Sequence, residues 1–198
     1  MKLSNSCLAL LVVALVASTT FASPINVALA SNGGTATAIS EGYYNGVTKY
    51  ASNAIDGNLQ SDWCSEWSMP AWLKVQFNKQ YLIDRVAVDI NYHQQTFAIS
   101  LSPDGINWTQ VVAPQLSTNI PTSYPTYQSA GSAYEVFDLA NPVLAEYMRV
   151  DITTTSAPSS HIFQADVGEV EAYATPEPTT LSLLGLGLAG LIARHKRK

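Results

Sequence analysis

Asp56, Asn58 and Ser61 fall within one short stretch, with Gly57 between the first two. Carboxylate, amide and hydroxyl oxygens at that spacing, around a glycine that permits a sharp turn, outline a loop for a hard cation. Calcium takes six to eight oxygens, more than one loop supplies, so a second segment would have to contribute. The same residues also suit a plain turn in which Asp and Asn side chains bond the amides that follow them. At this level both readings stay open.

Other patterns carry less chemistry. Gly185, Gly187 and Gly190 spell GxGxxG, but a dinucleotide loop needs a preceding strand, a following helix and a second strand with an acidic residue about 20 positions on. That context is missing. His93 and His161 are isolated, neither lies in an H-E-x-x-H or G-x-S-x-G pattern, and His195 sits in the last basic run. No two acids are placed by sequence at the separations that glycoside hydrolysis requires. The expectation is a protein that is not an enzyme.

The ends of the chain explain the apolar glycine-rich stretch. Residues 1–22 open with Lys2, run apolar from Cys7 to Ala17 and reach small residues at Thr20 and Ala22, the order of a secretory signal peptide cut by signal peptidase. At the other end Pro176-Glu177-Pro178 precede an apolar run, 181–193, expected as a short hydrophobic helix, and a basic tip, 194–198. A basic tip stays on the inner side by the positive-inside rule. The run is shorter than the roughly 20 residues that span a bilayer comfortably, so it reads as an address rather than a permanent anchor.

Without these ends the charge balance shifts. The termini hold five of the 10 Lys and Arg residues and one of the 15 Asp and Glu residues, leaving five bases against 14 acids, a formal charge near −9. Such a body repels nucleic-acid phosphates and anionic membrane surfaces, both of which demand basic patches. Cys7 leaves with the signal peptide, so Cys64 has no disulfide partner and is expected as a small buried apolar residue. Stability must then come from a hydrophobic core, which a body of this length is able to build.

That core is legible as alternation. Leu73, Val75 and Phe77 share one face of a strand, as do Val86, Val88 and Ile90, then Phe97, Ile99 and Leu101, then Met148, Val150 and Ile152, each group with a wet face opposite. Pro103 with Asp104-Gly105 marks a turn, and Asn141-Pro142 is expected to end a strand. No helical periodicity appears between the termini. The economical solution is all-β: one antiparallel β-sandwich or jelly roll over about Ile25–Tyr173.

Taken in order, "NVALASNGGTATAIS", "ASNAIDGNLQSDWCSEW", "WLKVQFNKQYLIDRVAV", "FAISLSPDGINWTQV", "YMRVDI" and "DVGEVEAY" resemble the discoidin or coagulation factor 5/8 type C domain, also called carbohydrate-binding module family 32. Gln76 and Asn78 depart from the usual Asp and Gly, and the terminal cysteine pair of animal members is absent. The resemblance implies a galactose-binding-domain-like sandwich and a structural calcium. Its ligands would be Asp56, Asn58 and Ser61, a backbone oxygen of Asn53, the Gly168 carbonyl and the Glu169 carboxylate. The tail, 174–198, resembles the PEP-CTERM sorting signal of Gram-negative bacteria, which implies processing by an exosortase.

Binding in such a sandwich falls to loops at one end, where a sugar's C–H face stacks on a ring while its hydroxyls find polar partners. Candidates by position are Tyr43, Tyr44, Trp67, Tyr92, His93, Tyr124, Tyr127, His161 and Phe163, whereas Trp63, Trp72 and Trp108 are expected in the core. The functional expectation is an exported, non-catalytic module for exopolysaccharide or cell-surface glycan, held briefly at the inner membrane and then released to the cell surface or biofilm matrix. The alternatives are an adhesive protein that binds another protein and a lipid-surface binder. The acidic balance argues against the last.

Overall fold

In the computed structural model the described residues are 23–44, 46–67, 69–90, 94–118, 134–155 and 164–175. They form β1 (Ile25–Asn26), β2 (Thr35–Ala38), β3 (Gly42–Tyr44), β4 (Val47–Lys49), β5 (Trp63–Cys64), β6 (Ala71–Ile90), β7 (Gln95–Ser102), β8 (Thr109–Leu116), β9 (Tyr134–Thr155) and β10 (Asp166–Ala174). Two single 3-10 turns, Ala30–Asn32 and Ala51–Ile55, interrupt the strands. The main sheet runs β1-β10-β6-β9-β7-β8, with β2 also on β6 and β5 also on β10, and β3 and β4 pair with each other.

Two long strands turn this sheet into a sandwich. β6 and β9 pair antiparallel from Ala71 opposite Ile152 to Asp89 opposite Tyr134, with register breaks near the middle of each. β10 uses only the second half of β6, and β7 only the second half of β9. One layer is thus β10 with the adjoining halves of β6 and β9, and the other is β2, the remaining halves, β7 and β8. Both inner faces feed one core: every residue of the four alternating groups, from Leu73 to Ile152, is at most 1 % exposed. The all-β antiparallel sandwich is the architecture the alternation implies.

Four details differ from the sequence reading. The segments expected as two strands, around Leu73–Phe77 and Val86–Ile90, belong to the single β6, because the chain between them bulges instead of turning. β9 likewise continues through Asn141-Pro142: Asp138 opposes Arg85 and Val143 opposes Ile83, so the proline sits in a bulge where no ladder hydrogen bond is asked of it. Trp72 and Trp108 are half-buried rather than core. Trp72 alternates outward from Leu73, and Trp108 lies under the Arg149 guanidinium, 4.8 Å from its ring centre. The outer face of β6 also loses its expected wetness at Ala87 and Asp89, both buried.

The topology gives the sandwich two distinct ends. Gln95 opposes Thr155, Thr96 opposes Leu116 and Asp89 opposes Tyr134, so the described residues that flank 91–93, 119–133 and 156–163 gather at one end. Trp67 precedes β6 there, and β10 starts there. At the other end Ile25 opposes Ala174 and the Thr175 amide bonds the Leu82 carbonyl.

Candidate functional site

A short hairpin covers β5 at the loop end. Gly42 lies so close to β5 that a Cβ would stand 2.6 Å from the Ser65 carbonyl oxygen and 2.7 Å from the Cys64 Sγ, which is why only glycine fits. With Gly42 turned in, alternation turns Tyr43 out; it is 66 % exposed, while Tyr44 is half-buried. Trp67 is 55 % exposed and follows Ser65, whose amide and hydroxyl bond the main chain of Ala165. Tyr43 and Trp67 therefore stand over the same corner of the sandwich. Trp63, by contrast, is fully buried, its indole N–H donating to the Ser40 carbonyl.

Beneath the hairpin lies a set of charged groups that sequence reasoning did not single out. Trp63 and Val167 oppose each other and face the core, so Asp62, Cys64 and Asp166 point to the outer side. Lys49 donates to the Asp62 carboxylate at 2.5 Å. Burial pushes the Asp62 carboxyl up, against the opposing pull of Lys49. Burial, with repulsion from Asp62, holds Asp166 at about 8. The Cys64 thiol is pushed up to about 12 by burial and then by Asp166 and Asp62, which removes it as a nucleophile. One sequence signal could have revealed the hairpin, since Asn45-Gly46 between Tyr44 and Val47 is a tight-turn dipeptide and Gly46 has φ 83°. Nothing local marks Asp166, whose neighbours come from a hundred residues away.

The Asp56–Ser61 loop and Glu169, the two segments named for a cation, are in contact. Gly57, at φ 79°, turns the chain so that its amide and that of Asn58 donate to the Glu169 Oε1 at 2.5 and 3.2 Å. Gly168 is the extra residue of a β-bulge: Val167 opposes Ile90 and Glu169 opposes the very next residue, Asp89. The bulge aims Glu169 at the loop, where it is 1 % exposed. Burial raises its carboxyl to about 8, and the facing Asp56 carboxyl adds to the rise. A buried carboxyl facing an exposed one is an arrangement that suits a hard cation placed between them.

The plain turn is present in the same residues. Asp56 Oδ1 accepts from the Asn58 amide, Asn58 Oδ1 accepts from the Gln60 amide, and Ser61 Oγ donates to Asp56 Oδ2. The Asn53 side chain points elsewhere, donating to the Asp62 carbonyl. Among the described residues no three His, Cys, Asp or Glu side chains form a metal-binding group, so any ion here would rely on amide, hydroxyl and carbonyl oxygens beside Asp56 and Glu169.

Tyr92, His93, Tyr124, Tyr127, His161 and Phe163 lie outside the described residues, as do the signal peptide, the Pro176-Glu177-Pro178 motif and the apolar run. Among the described residues no helix is long and apolar enough to cross a membrane.

Comparison with known proteins places this geometry. No curated protein matches the chain. Among solved structures it is similar to the family 32 carbohydrate-binding module of Clostridium perfringens NanJ in complex with galactose, at 20 % identity and TM-score 0.54, covering 75 % of this chain and 99 % of that one. It is similar also to a module of the same family from a Clostridium perfringens family 31 glycoside hydrolase, at 22 % identity and TM-score 0.55, over 76 % of this chain and 94 % of that one. A chitosan-binding module from a Paenibacillus chitosanase/glucanase aligns at 23 % identity and TM-score 0.56, over 75 % and 98 %. Such identities establish the fold alone. Residues 174–198 match the PEP-CTERM protein-sorting motif. Residues 35–164 match the F5/8 type C domain model, and with that share of its length the chain belongs to the F5/8 type C domain family.

Proposed function

We propose that this protein is an exported, non-catalytic glycan-binding module, delivered by its sorting tail and processed by an exosortase, that holds exopolysaccharide or cell-surface glycan at the loop end of the sandwich. The observation that carries the reading is the pair of exposed rings, Tyr43 and Trp67, fixed at that end by a glycine-seated hairpin and by the Ser65–Ala165 bonds. Large rings left in water on a rigid frame are suited to stack on the C–H face of a sugar, while nearby polar groups take its hydroxyls. The sugar complexes among the structural neighbours support this class of ligand.

Calcium belongs to the same proposal as a structural ion. The Asp56 and Glu169 carboxylates, the Asn58 and Ser61 oxygens and the carbonyls of Asn53 and Gly168 would hold it. When bound, it would supply positive charge between two facing acids and tie the loop after the Ala51–Ile55 turn to β10.

Retention on polysaccharide affinity gels tests the reading. Trp67→Ala and Tyr43→Ala are expected to lose retention while melting within about 1 kcal/mol of wild type, because exposed side chains contribute little to the core. Wild type passing unretarded through every neutral, cationic and anionic polysaccharide, including the exopolysaccharide of its own host, would refute it in favour of adhesion to another protein.

A further inference from the structure

The outer face of the second layer carries a row of hydrogen-bond donors. Leu73 and Val75 face the core, so Trp72, Lys74 and Gln76 face outward from β6, and the register sets Thr37 of β2 and Arg149 of β9 on either side of Lys74. The row continues through Ser100 of β7 to Gln110 of β8. Asp151 opposes Trp72 on the same face. Lys74 and Arg149 are thus like charges directly opposite each other, about 5 Å apart at Cβ, an arrangement that destabilises a sheet.

The partners of these two bases do not account for both charges. The other bases of the body are engaged: Lys49 bonds Asp62, Arg85 bonds Asp138 and Lys79 lies over Tyr81. Arg149 is engaged on one edge only. Its Nε donates to Asp151 at 2.9 Å and its guanidinium lies against the Trp108 ring, while its two Nη groups have no acceptor among the described residues. Lys74 is half-buried and has no carboxylate, carbonyl or ring partner among the described residues. The residue beside it on β2, Thr37, is exposed.

Two bases held side by side on neighbouring strands are relieved by an anion placed between them. The donors Thr37, Lys74 and Arg149 come from three strands. An ester-linked sulfate or phosphate keeps three oxygens free to meet them, whereas a planar carboxylate offers two. We propose that this face is a second site, apart from Tyr43 and Trp67, for a polysaccharide that bears sulfate or phosphate esters. The ester sits between Lys74 and Arg149, and the sugar ring that carries it lies against Trp72. This site does not depend on sugar binding at the loop end.

Isothermal titration of the full-length protein in non-ionic detergent tests this with one glucan in four forms: dextran, dextran sulfate, dextran phosphate and carboxymethyl dextran, the last three at equal charge density. At least one ester form is expected to bind about tenfold more tightly than the carboxymethyl form, and the tighter of the two names the natural substituent. Lys74→Gln should weaken ester binding about tenfold. Lys79→Gln, the same loss of charge elsewhere on β6, should stay within about twofold of wild type. Asp151→Asn removes a competing acid from Arg149 and should strengthen ester binding about threefold. That gain is not mimicked by misfolding, which keeps the inference testable should Lys74→Gln fail to fold. Carboxymethyl dextran binding as tightly as both esters, ester binding unchanged in Lys74→Gln, or weaker ester binding in a folded Asp151→Asn overturns the site and leaves the loop-end reading standing. Lys74-dependent ester binding by a protein that ignores every unsubstituted polysaccharide keeps the site and removes the loop-end reading.

Discussion

The cation loop lends itself to a crossed experiment with Glu169→Gln. In the absence of an ion, the buried Glu169 carboxyl faces Asp56 and is held well above the usual carboxylate range, at about 8. Glutamine keeps the Oε1 acceptor for the Gly57 and Asn58 amides but removes the charge that Asp56 opposes. In chelator the variant should therefore melt at or above the temperature of wild type. In calcium the order should reverse. An ion bound only by the folded state adds RT ln(1 + [L]/Kd), about 2.7 kcal/mol at a hundredfold excess over Kd. At roughly 2–4 °C per kcal/mol for a domain of this size, wild type should gain about 5–11 °C. Glu169→Gln and Asp56→Ala should gain about 1 °C or less. Differential scanning calorimetry of the four combinations reads this directly. Identical wild-type curves with calcium and with chelator, or a variant that responds as wild type does, would refute the site and leave the Asp56–Ser61 turn as structure only.

Three other outcomes follow from particular residues. Trp63→Ala, at a fully buried ring, should cost about 3–5 kcal/mol in urea unfolding; a loss under about 1 kcal/mol would contradict its place in the core. The Cys64 thiol, held at about 12, is thiolate in roughly one molecule in 10,000 at pH 8, so iodoacetamide should leave it unmodified in the folded protein and alkylate it in urea; ready labelling of folded protein would show that β3 does not cover it. Protein isolated from its host should lack everything from near Pro176 onward, and Glu177→Ala should leave precursor in the membrane; an intact mass that retains the tail rejects the processing step.

Legibility in the sequence tracked the range of the interactions involved. The inward residues of β6, β7 and β9 were readable because a strand's two faces alternate within the local chain. The breaks within β6 and β9 were not, because a bulge is a mismatch between two strands and neither strand carries it alone. Trp72 illustrates a related limit. Its size suggested burial, but its parity with Leu73 fixed it outward, and parity was the better guide. The Asp56–Ser61 loop announced itself through residue types, whereas Lys49, Asp62 and Asp166 meet only because β5 pairs with β10 and the hairpin folds over both. Asn45-Gly46 was a local signal for that hairpin, and its position between two short strands made it easy to take for a loop.

The two ends of β10 separate the exposed rings from the chain's exit toward the sorting motif. Asp166 begins the strand at the corner where Tyr43 and Trp67 stand exposed, and Ala174 closes it opposite Ile25. Nine residues at about 3.3 Å each put roughly 30 Å of rigid ladder between them. The chain therefore enters and leaves the sandwich at the end away from the exposed rings, with the Thr175 amide fixed to Leu82 as the last described bond before the sorting motif. Glu169 lies between the two ends, joined to Gly57 and Asn58 across more than a hundred residues of chain, so an ion there would brace the strand that links them. The bulge at Gly168 turns Glu169 toward that loop while the pairing with β6 resumes on either side, so one strand runs from the corner of exposed rings past the Glu169 contact to the chain's exit.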